Sequence, residues 1–391
     1  MTGHAYIHIP FCLRKCAYCS FVSGVNIKNK DVYINALLKE ISVKYWHFEG
    51  LPEKSRSRAA GFLRAFSAQN DNLWKHALKT LYIGGGTPSL FSCADIKKLL
   101  KCFIFEAGAE ITLEANPETA SPDKFKGYYD AGINRISLGI QTFNNDILKA
   151  IGRGHTALDA ENAVKAIKEA GFKNISIDLI YGLPNQTIEC FMNDLDRAVN
   201  LGVQHISLYG LKIEEGSYFY RHKPENLPDD DMQADMYLEA CRFLNKFNHY
   251  EISNFALKGF ESRHNTAYWL NKEYYGFGLN ASGYEGNIRY KNTPDFGAYI
   301  NNPLKTAEKS ELSKEETLEN EIFLALRLKQ GVNIKEISRK YNINFEEKYG
   351  GIIEKYNGTG LLKLNNGILS LTKEGILLSN EIMSEFIGCD F

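Results

Sequence analysis

Three cysteines stand close together near the start of the chain. Cys12, Cys16 and Cys19 follow a short apolar run with the spacing CxxxCxxC. Thiolates are the usual ligands of iron–sulfur clusters, and a [4Fe–4S] cube has four irons to fill. Three cysteines leave one iron with an open position, where a substrate or cofactor can bind. Zinc binding or chance clustering is the alternative, but no second half of a zinc site follows in the sequence.

A second set of candidate residues follows the predicted strands: Gly84–Gly86, Glu114 and Gln141 fall at strand ends, and Asp178 lies in the fifth strand. In parallel strand–helix folds the ligand site lies at the carboxyl ends of the strands. Taken singly, each residue is more often a satisfied polar group, and the glycine run is more often a tight turn. The GxGxxG spacing of a dinucleotide site is missing. Together with the cysteines, these positions predict one shared site.

The elements that must position these residues alternate between strand and helix patterns over the first 250 residues. The predicted strands are Ala5–Ile9, Leu81–Ile83, Glu110–Glu114, Asn134–Ile140, Ile175–Tyr181 and Ile206–Leu211. The predicted helices are Val32–Ile41, Ala94–Phe103, Pro122–Ala131, Ala157–Ala170, Ile188–Leu201 and Asp229–Phe247. Such alternation predicts a parallel sheet covered by helices. Six repeats are too few for a closed eight-stranded barrel, so an open partial barrel or a doubly wound sheet remains.

Three further segments complete the predicted organisation of the chain. Residues 50–76 interrupt the strand–helix pattern and suggest a surface insertion, and Tyr250–Phe255 suggests an edge strand that opens a connecting segment, 251–310. Residues 311–391 suggest helices, a hairpin around Asn365-Asn366-Gly367 and a closing helix over Lys373–Ile387, which resembles a winged-helix module. Without a dense basic stripe, we expect this module to have a structural or docking role rather than to bind DNA.

The composition limits the classes of function. Apolar residues make up 44% of the chain and the net charge is -1, which argues against a general nucleic-acid or membrane-surface binder. No apolar run reaches membrane-spanning length, and the start of the chain lacks the pattern of a signal peptide. The remaining cysteines are scattered, as buried thiols of a reducing compartment are. We therefore expect a cytoplasmic protein.

Several motifs accompany the cysteines, namely YIHIPFC at 6–12, GGGTPS at 84–89, EANPE at 114–118, NRISLGIQ at 134–141 and DLIYGLP at 178–184. Together they resemble the oxygen-independent coproporphyrinogen III oxidase group of the radical S-adenosylmethionine (SAM) superfamily, over about residues 4 to 385. The resemblance implies an α/β fold: a partial parallel (β/α)6 barrel of radical SAM type, spanning residues 1–250, with a C-terminal winged-helix-like helical module.

The resemblance also implies cofactors and the residues that bind them. A [4Fe–4S] cluster would be held by the three cysteines. S-adenosylmethionine would be bound by Tyr6, Gly85, Gly86, Thr87, Glu114, Gln141, Arg153 and Asp178. These residue types suit that ligand, because a guanidinium can fork onto a carboxylate and a glutamate accepts hydrogen bonds from an amine or a ribose hydroxyl.

The motif HNxxYW distinguishes two branches of the group. The oxidases carry a further cysteine in CxxxCxxCxC, where this chain has Phe21, whereas HNxxYW at 264–269 resembles the haem chaperone branch. That resemblance implies that His264 ligates haem iron while Tyr268 and Trp269 pack on the porphyrin. The alternative is a structural histidine with two core aromatic residues.

Three functions therefore stay open. The first is a haem chaperone that binds the cluster, S-adenosylmethionine and haem, and delivers haem to acceptor proteins. The second is an oxidase that decarboxylates coproporphyrinogen III by radical chemistry, and the third is a regulatory nucleic-acid binder. The missing cysteine and HNxxYW favour the first, with haem or porphyrin and haem-acceptor proteins as partners and no nucleic acid. The sequence leaves open peripheral membrane contact, a monomer or a homodimer, and whether catalytic turnover remains.

Overall fold

The structure is a computed structural model of the chain that describes residues 2–46 and 77–388. The insertion predicted at 50–76 lies outside the described residues. Within the described residues, no helix combines the length and the apolar character that crossing a membrane requires.

The largest element is a nine-stranded sheet. Its strands are β1 (His4–Ile9), β2 (Leu78–Gly85), β3 (Phe105–Ala115), β4 (Arg135–Gln141), β5 (Ile175–Tyr181), β6 (His205–Gly210), β7 (Asn248–Glu251), β8 (Asn254–Ala256) and β9 (Tyr275–Phe277), in the order β7-β8-β6-β5-β4-β3-β2-β1-β9. Strands β1 to β6 are parallel and adjacent in chain order. A doubly wound sheet would reverse its order at a switch point. The unbroken order therefore selects the partial barrel, as the resemblance implied.

Helices connect these strands and continue into the rest of the chain. They are α1 (Lys30–Lys44), α2 (Cys93–Leu100), α3 (Pro122–Ala131), α4 (Asn145–Ala150), α5 (Ala157–Glu169), α6 (Ile188–Asn200), α7 (Tyr218–Arg221), α8 (Asp230–Phe243), α9 (Arg263–Trp269) and α10 (Phe296–Asn301). Local sequence sets several starts: Ser92 and Thr156 each form a capping box with an aspartate three residues on.

The two faces of the barrel strands differ sharply in polarity. Apolar side chains at alternate positions, such as Ile7, Leu81 and Ile136, join the main core under the helices. The other alternate positions form the barrel interior and are polar: Tyr6, His8, Thr80, Tyr82, Thr112, Glu114, Arg135, Ser137, Ser176, Asp178, His205 and Ser207. The period of two along each strand sends every second, polar residue inward.

The edges of the sheet come from the segment predicted as a connection. Instead of one edge strand at Tyr250–Phe255, a turn at 252–253 separates β7 from β8, and the two strands pair antiparallel. Strand β9 pairs parallel with β1 at the opposite edge. Strands β10 (Ser282–Glu285), β11 (Ile288–Asn292) and β12 (Thr306–Glu311) then form a separate antiparallel sheet.

The C-terminal module has its own core. It contains α11 (Lys314–Ala325), β13 (Val332–Asn333), α12 (Ile334–Tyr341), α13 (Phe345–Gly358), the hairpin β14 (Leu362–Asn365) and β15 (Ile368–Leu371), α14 (Lys373–Leu377) and α15 (Ser379–Ser384). The closing helix predicted over Lys373–Ile387 is two helices, because the backbone at Leu378 leaves the helical conformation.

A buried carboxylate fastens α1 to the β9–α10 region. Glu40 is fully buried and accepts hydrogen bonds from the Gly278 N–H and the Tyr299 hydroxyl, both at 2.7 Å. Its other oxygen accepts from Lys44 Nζ and Asn292 Nδ2, also at 2.7 Å. The ionised carboxylate is thus matched by donors on every side, so its charge is compensated despite burial.

Replacing Glu40 with glutamine is therefore expected to destabilise the protein. The amide keeps the shape of the side chain but removes the charge opposite Lys44 and turns one acceptor into a donor that faces other donors. The free energy of unfolding should fall by about 3 kcal/mol, as when one partner of a buried pair is removed. Urea unfolding measures this change, with Glu106→Gln on the exposed surface as a control that should stay near wild type. Equal stability of the two variants would contradict this role of Glu40.

Candidate functional site

The cysteines lie on a closed loop at the carboxyl end of β1. Cys12 N donates to the Gly24 carbonyl at 3.0 Å, and Gly24 N donates to the Pro10 carbonyl at 2.9 Å. These two bonds close the loop around the three thiols, which are all half-buried and free. The loop is therefore held as a unit, although it has no regular structure.

The glycine-rich turn is bonded directly to this loop. Gly86 N donates to the Ile9 carbonyl and Thr87 N donates to the Phe11 carbonyl, both at 2.7 Å. A Cβ at Gly86 would lie 2.6 Å from the Phe11 carbonyl oxygen and 3.0 Å from Cys12 Sγ. Glycine is required here because two backbone segments and a thiol meet at this point.

Arg153 links the cysteine loop to the end of β3. Its guanidinium donates to Cys16 Sγ at 3.4 Å and to Asn116 Oδ1 at 3.0 Å, and also to the Gly139 carbonyl. Asn116 in turn donates to Thr87 Oγ1 at 3.0 Å. The Arg153 Nε is buried and has no hydrogen-bond partner among the described residues. A buried unpaired donor beside the thiols is free to bind a ligand.

Two of the thiols are made more basic by their surroundings. Burial raises the pKa of Cys12 and of Cys19, although hydrogen bonds to their thiolates oppose that shift. Without a bound metal these thiols therefore stay protonated at neutral pH. In the described part of the chain, no three side chains of His, Cys, Asp or Glu converge to hold a single metal ion. The thiolates of a [4Fe–4S] cluster need not converge in this way, because each binds a different iron.

Two half-buried carboxylates lie inside the barrel below the glycine turn. Glu114 accepts from the Tyr82 hydroxyl at 2.8 Å and from Gly85 N at 3.0 Å. Burial raises its pKa to about 7. Asp178 accepts from Ser137 Oγ at 3.2 Å, and burial raises its pKa as well. Glu114 can therefore exchange a proton near neutral pH, and both carboxyl groups can accept hydrogen bonds from a cationic ligand.

Gln141 and Tyr6 lie at different depths from the barrel mouth, which is the end of the barrel that carries the cysteine loop and the glycine turn. Gln141 ends β4 with a positive φ of 74°, a conformation that a residue other than glycine adopts only where the surroundings impose it. Tyr6 lies deeper in the barrel, where its hydroxyl bonds to His8 Nδ1 at 3.0 Å. Thus His8, rather than Tyr6, lies against the glycine turn, since a Cβ at Gly85 would come within 2.6 Å of the His8 ring.

Sequence reasoning gave no role to His8, Tyr82 or Asn116. The signal for Tyr82 and His8 was present, because both occupy the polar alternate positions of apolar strands. Asn116 follows the predicted end of β3 within the EANPE motif. Its position at a strand end made it a candidate for the ligand site.

The HNxxYW motif forms α9, beneath the barrel. His264 is buried, and its ring nitrogens bond to Thr80 Oγ1 at 2.7 Å and to the Tyr268 hydroxyl at 2.8 Å. Burial holds its pKa well below the usual range, so the ring is neutral. The ring also stacks on Tyr82 at 5.3 Å, and Tyr82 bonds Glu114. Both nitrogens are therefore used within the protein.

The three motif residues do not form one wall for a porphyrin. Tyr268 packs edge-on against Tyr274, whereas Trp269 lies under the Arg327 guanidinium, 4.3 Å from its ring centroid. The His264 contact, Thr80, lies six strand residues before Gly86, a distance of about 20 Å along β2. The motif and the cysteines thus lie at opposite ends of the barrel, and the placement of His264 fits a structural histidine.

A cysteine loop and a glycine turn at the mouth of a partial parallel barrel define a radical SAM protein. The family model described as Radical SAM superfamily matches residues 6–198, and the one described as HemN C-terminal domain matches residues 312–378. The chain is 38% identical over 395 residues to Heme chaperone HemW of Lactococcus lactis, covering 98% of this chain and 97% of that protein. It is 34% identical over 402 residues to Heme chaperone HemW of Bacillus subtilis, covering 98% and 99%. The chain therefore belongs to the HemW family of radical SAM proteins.

A solved structure shares the whole fold. It is the Escherichia coli coproporphyrinogen III oxidase HemN, described as a radical SAM enzyme, with a TM-score of 0.82 and 22% sequence identity, covering 99% of this chain and 90% of that one. At this level of identity the likeness establishes the architecture, including the C-terminal module.

Proposed function

We propose that this chain is a cytoplasmic haem chaperone that holds a [4Fe–4S] cluster and S-adenosylmethionine at the barrel mouth and delivers haem to acceptor proteins. The similarity to proteins named Heme chaperone HemW over nearly the full chain carries this proposal. The near-neutral net charge supports it over a nucleic-acid binder.

In this proposal Cys12, Cys16 and Cys19 hold the cluster. The residues fit that group, because Thr87 Oγ1 lies 3.7 Å from Cys12 Sγ and Arg153 donates to Cys16 Sγ. Donors to the sulfurs stabilise thiolate ligands and tune the cluster. When bound, the cluster would supply an electron and an iron with an open position.

The surrounding residues suit S-adenosylmethionine. Arg153 Nε offers a buried donor to the carboxylate of the ligand. Glu114 and Asp178 offer acceptors to its amine or its ribose hydroxyls. The glycine turn at Gly85 and Gly86 lets backbone groups approach the ligand closely. Gln141 closes the same side of the mouth from the end of β4.

The affinity for S-adenosylmethionine is expected to rise with pH. Burial raises the pKa of Glu114 to about 7, so its carboxyl is mostly neutral below that pH and mostly charged above it. The charged form attracts the cationic ligand, so affinity should increase between about pH 6 and pH 8. Calorimetric titration of the reconstituted protein at several pH values measures this slope.

Glu114→Gln, which cannot ionise, should weaken binding and flatten the profile, whereas Glu106→Gln on the surface should leave it unchanged. A wild-type affinity independent of pH over this range would contradict the role of Glu114.

The competing function is coproporphyrinogen oxidase. The position of the additional cysteine in the oxidases is Phe21, whose side chain is 64% exposed at the rim of the mouth. We therefore expect the reconstituted protein to bind haem and transfer it to an apo haem protein, without producing protoporphyrinogen at enzyme-like turnover. Assaying both activities side by side under anaerobic conditions tests the proposal. Turnover without haem binding would replace it by the oxidase function.

A further inference from the structure

Exposed apolar side chains are concentrated around the barrel mouth. On the cysteine loop, Phe21 and Val25 are 64% and 59% exposed, and on α7, Tyr218 and Tyr220 are 60% and 57% exposed. We call residues 13–27 together with 218–223 the mouth face. Apolar patches that stay exposed on one side of a protein mark binding surfaces.

The two parts of the mouth face are joined to each other. Phe219 N donates to the Ala17 carbonyl at 2.9 Å, and Ser20 Oγ donates to Glu214 Oε2 at 2.6 Å. The Phe219 ring is buried in a small apolar cluster with Ile151. Helix α7 is therefore held against the cysteine loop, and its exposed tyrosines have a fixed position on the same face.

His222 supplies a metal ligand on this face. It is exposed, and its ring lies 4.4 Å from the Tyr218 ring between centroids. No hydrogen bond to its ring nitrogens is present among the described residues. The other described histidines are buried or half-buried, and a ring nitrogen of each bonds to the protein, as His264 illustrates. Of the described histidines, His222 thus has the ring that is open to a ligand from outside.

The charges beside His222 suit an anionic ligand. Arg221 and Lys223 flank it, both exposed and without an ion-pair partner in the described part of the chain. Lys223 also lines a groove of about 380 Å³ at the carboxyl ends of β5 and β6, which apolar residues and the carboxylates of Asp229 and Asp230 line as well. An apolar surface, a free imidazole and two cations therefore occur within one short segment.

We propose that the haem cargo docks on the mouth face, with His222 as the axial ligand of its iron. This inference rests on the proposed chaperone function and assigns the cargo site. The macrocycle contacts the exposed tyrosines, an imidazole nitrogen of His222 binds the iron, and Arg221 and Lys223 meet the propionates. His264 takes no part, because its ring is buried and fully bonded.

Titration of ferric haem into the reconstituted protein tests this assignment through the position and intensity of the Soret band. His222→Ala should weaken haem affinity by about tenfold or more and change the band, because an axial ligand is lost. The double variant Arg221→Gln/Lys223→Gln should weaken affinity without changing the axial ligation. Tyr129→Ala, which removes a 43% exposed tyrosine on α3, is the matched control and should bind haem as the wild type does.

Rescue separates ligation from a structural effect. Adding imidazole to His222→Gly should restore the wild-type band, and His264→Gln should keep both band and affinity as long as its circular dichroism remains native. An unchanged band in His222→Ala, or a loss confined to His264→Gln, would overturn the assignment while leaving the chaperone function intact. A wild-type protein that binds no haem would instead refute the proposed function, and the assignment with it.

Discussion

Cys16→Ala is expected to abolish the iron–sulfur cluster. The proposed cube has only three protein ligands, so the loss of one leaves two irons without a protein ligand. Cys16 also accepts a hydrogen bond from Arg153, and the same guanidinium bonds Asn116. The variant therefore removes a ligand and also one of the hydrogen bonds through which Arg153 joins the cysteine loop to the end of β3. After anaerobic reconstitution, bound iron and sulfide and the broad visible absorption should fall to background.

The matched control is another half-buried thiol, Cys102, which donates to the Lys98 carbonyl after helix α2. Cys102→Ala should keep the full complement of iron and sulfide. A cluster that persists in the Cys16→Ala protein, or is lost equally from both variants, would show that the CxxxCxxC cysteines are not its ligands.

The strands and the mouth of the barrel could be predicted from the sequence for a simple physical reason. Alternation of strands and helices predicts a parallel sheet, and the carboxyl ends of its strands must meet at one edge. The cysteine loop after the first strand is therefore expected beside Gly84–Gly86 after the second, and the backbone bonds from Gly86 to Ile9 and from Thr87 to Phe11 agree with this expectation.

The depth of a residue inside the barrel could not be predicted in the same way. The spacing of His264 and Tyr268 correctly indicates that they share a helix face, since the two side chains are bonded. It does not indicate which end of the barrel that face meets. That placement depends on Thr80 and Glu110, which are distant in sequence and form hydrogen bonds with His264 of α9.

Side chains that connect distant parts of the site could not be predicted from the sequence either. The Arg153 contacts to Cys16 and Asn116 span 137 and 37 residues of sequence, and nothing local indicates them. The polar interior, in contrast, is indicated by the alternation of polar and apolar residues in the segment HAYIHI of β1 and in the other barrel strands. A histidine or tyrosine at every second position of an otherwise apolar strand predicts a polar interior.

Gly86→Ala is expected to disrupt the same site without removing any ligand. The added Cβ would lie 2.6 Å from the Phe11 carbonyl oxygen, 2.9 Å from that of Ile9 and 3.0 Å from Cys12 Sγ. Two of these atoms belong to the backbone, so no side chain can move aside to make room. The backbone of Gly86 does not itself require glycine, since its φ is not positive. The effect therefore arises from the close approach of the glycine turn to the cysteine loop.

The cysteine loop must shift away from the glycine turn, so Gly86→Ala should lower cluster content several-fold and lose about 1–3 kcal/mol of stability, as overpacking does. Gly351→Ala is the control with the opposite sign. That glycine lies within α13, and nothing lies within 4 Å of its added Cβ. Alanine there should keep the cluster and raise stability by about 0.5–1 kcal/mol. Iron content and urea unfolding of the two variants provide the comparison. A Gly86→Ala protein with a full cluster and wild-type stability would mean that the turn and the loop can separate, and that the proposed cofactor pocket is not built on their contact.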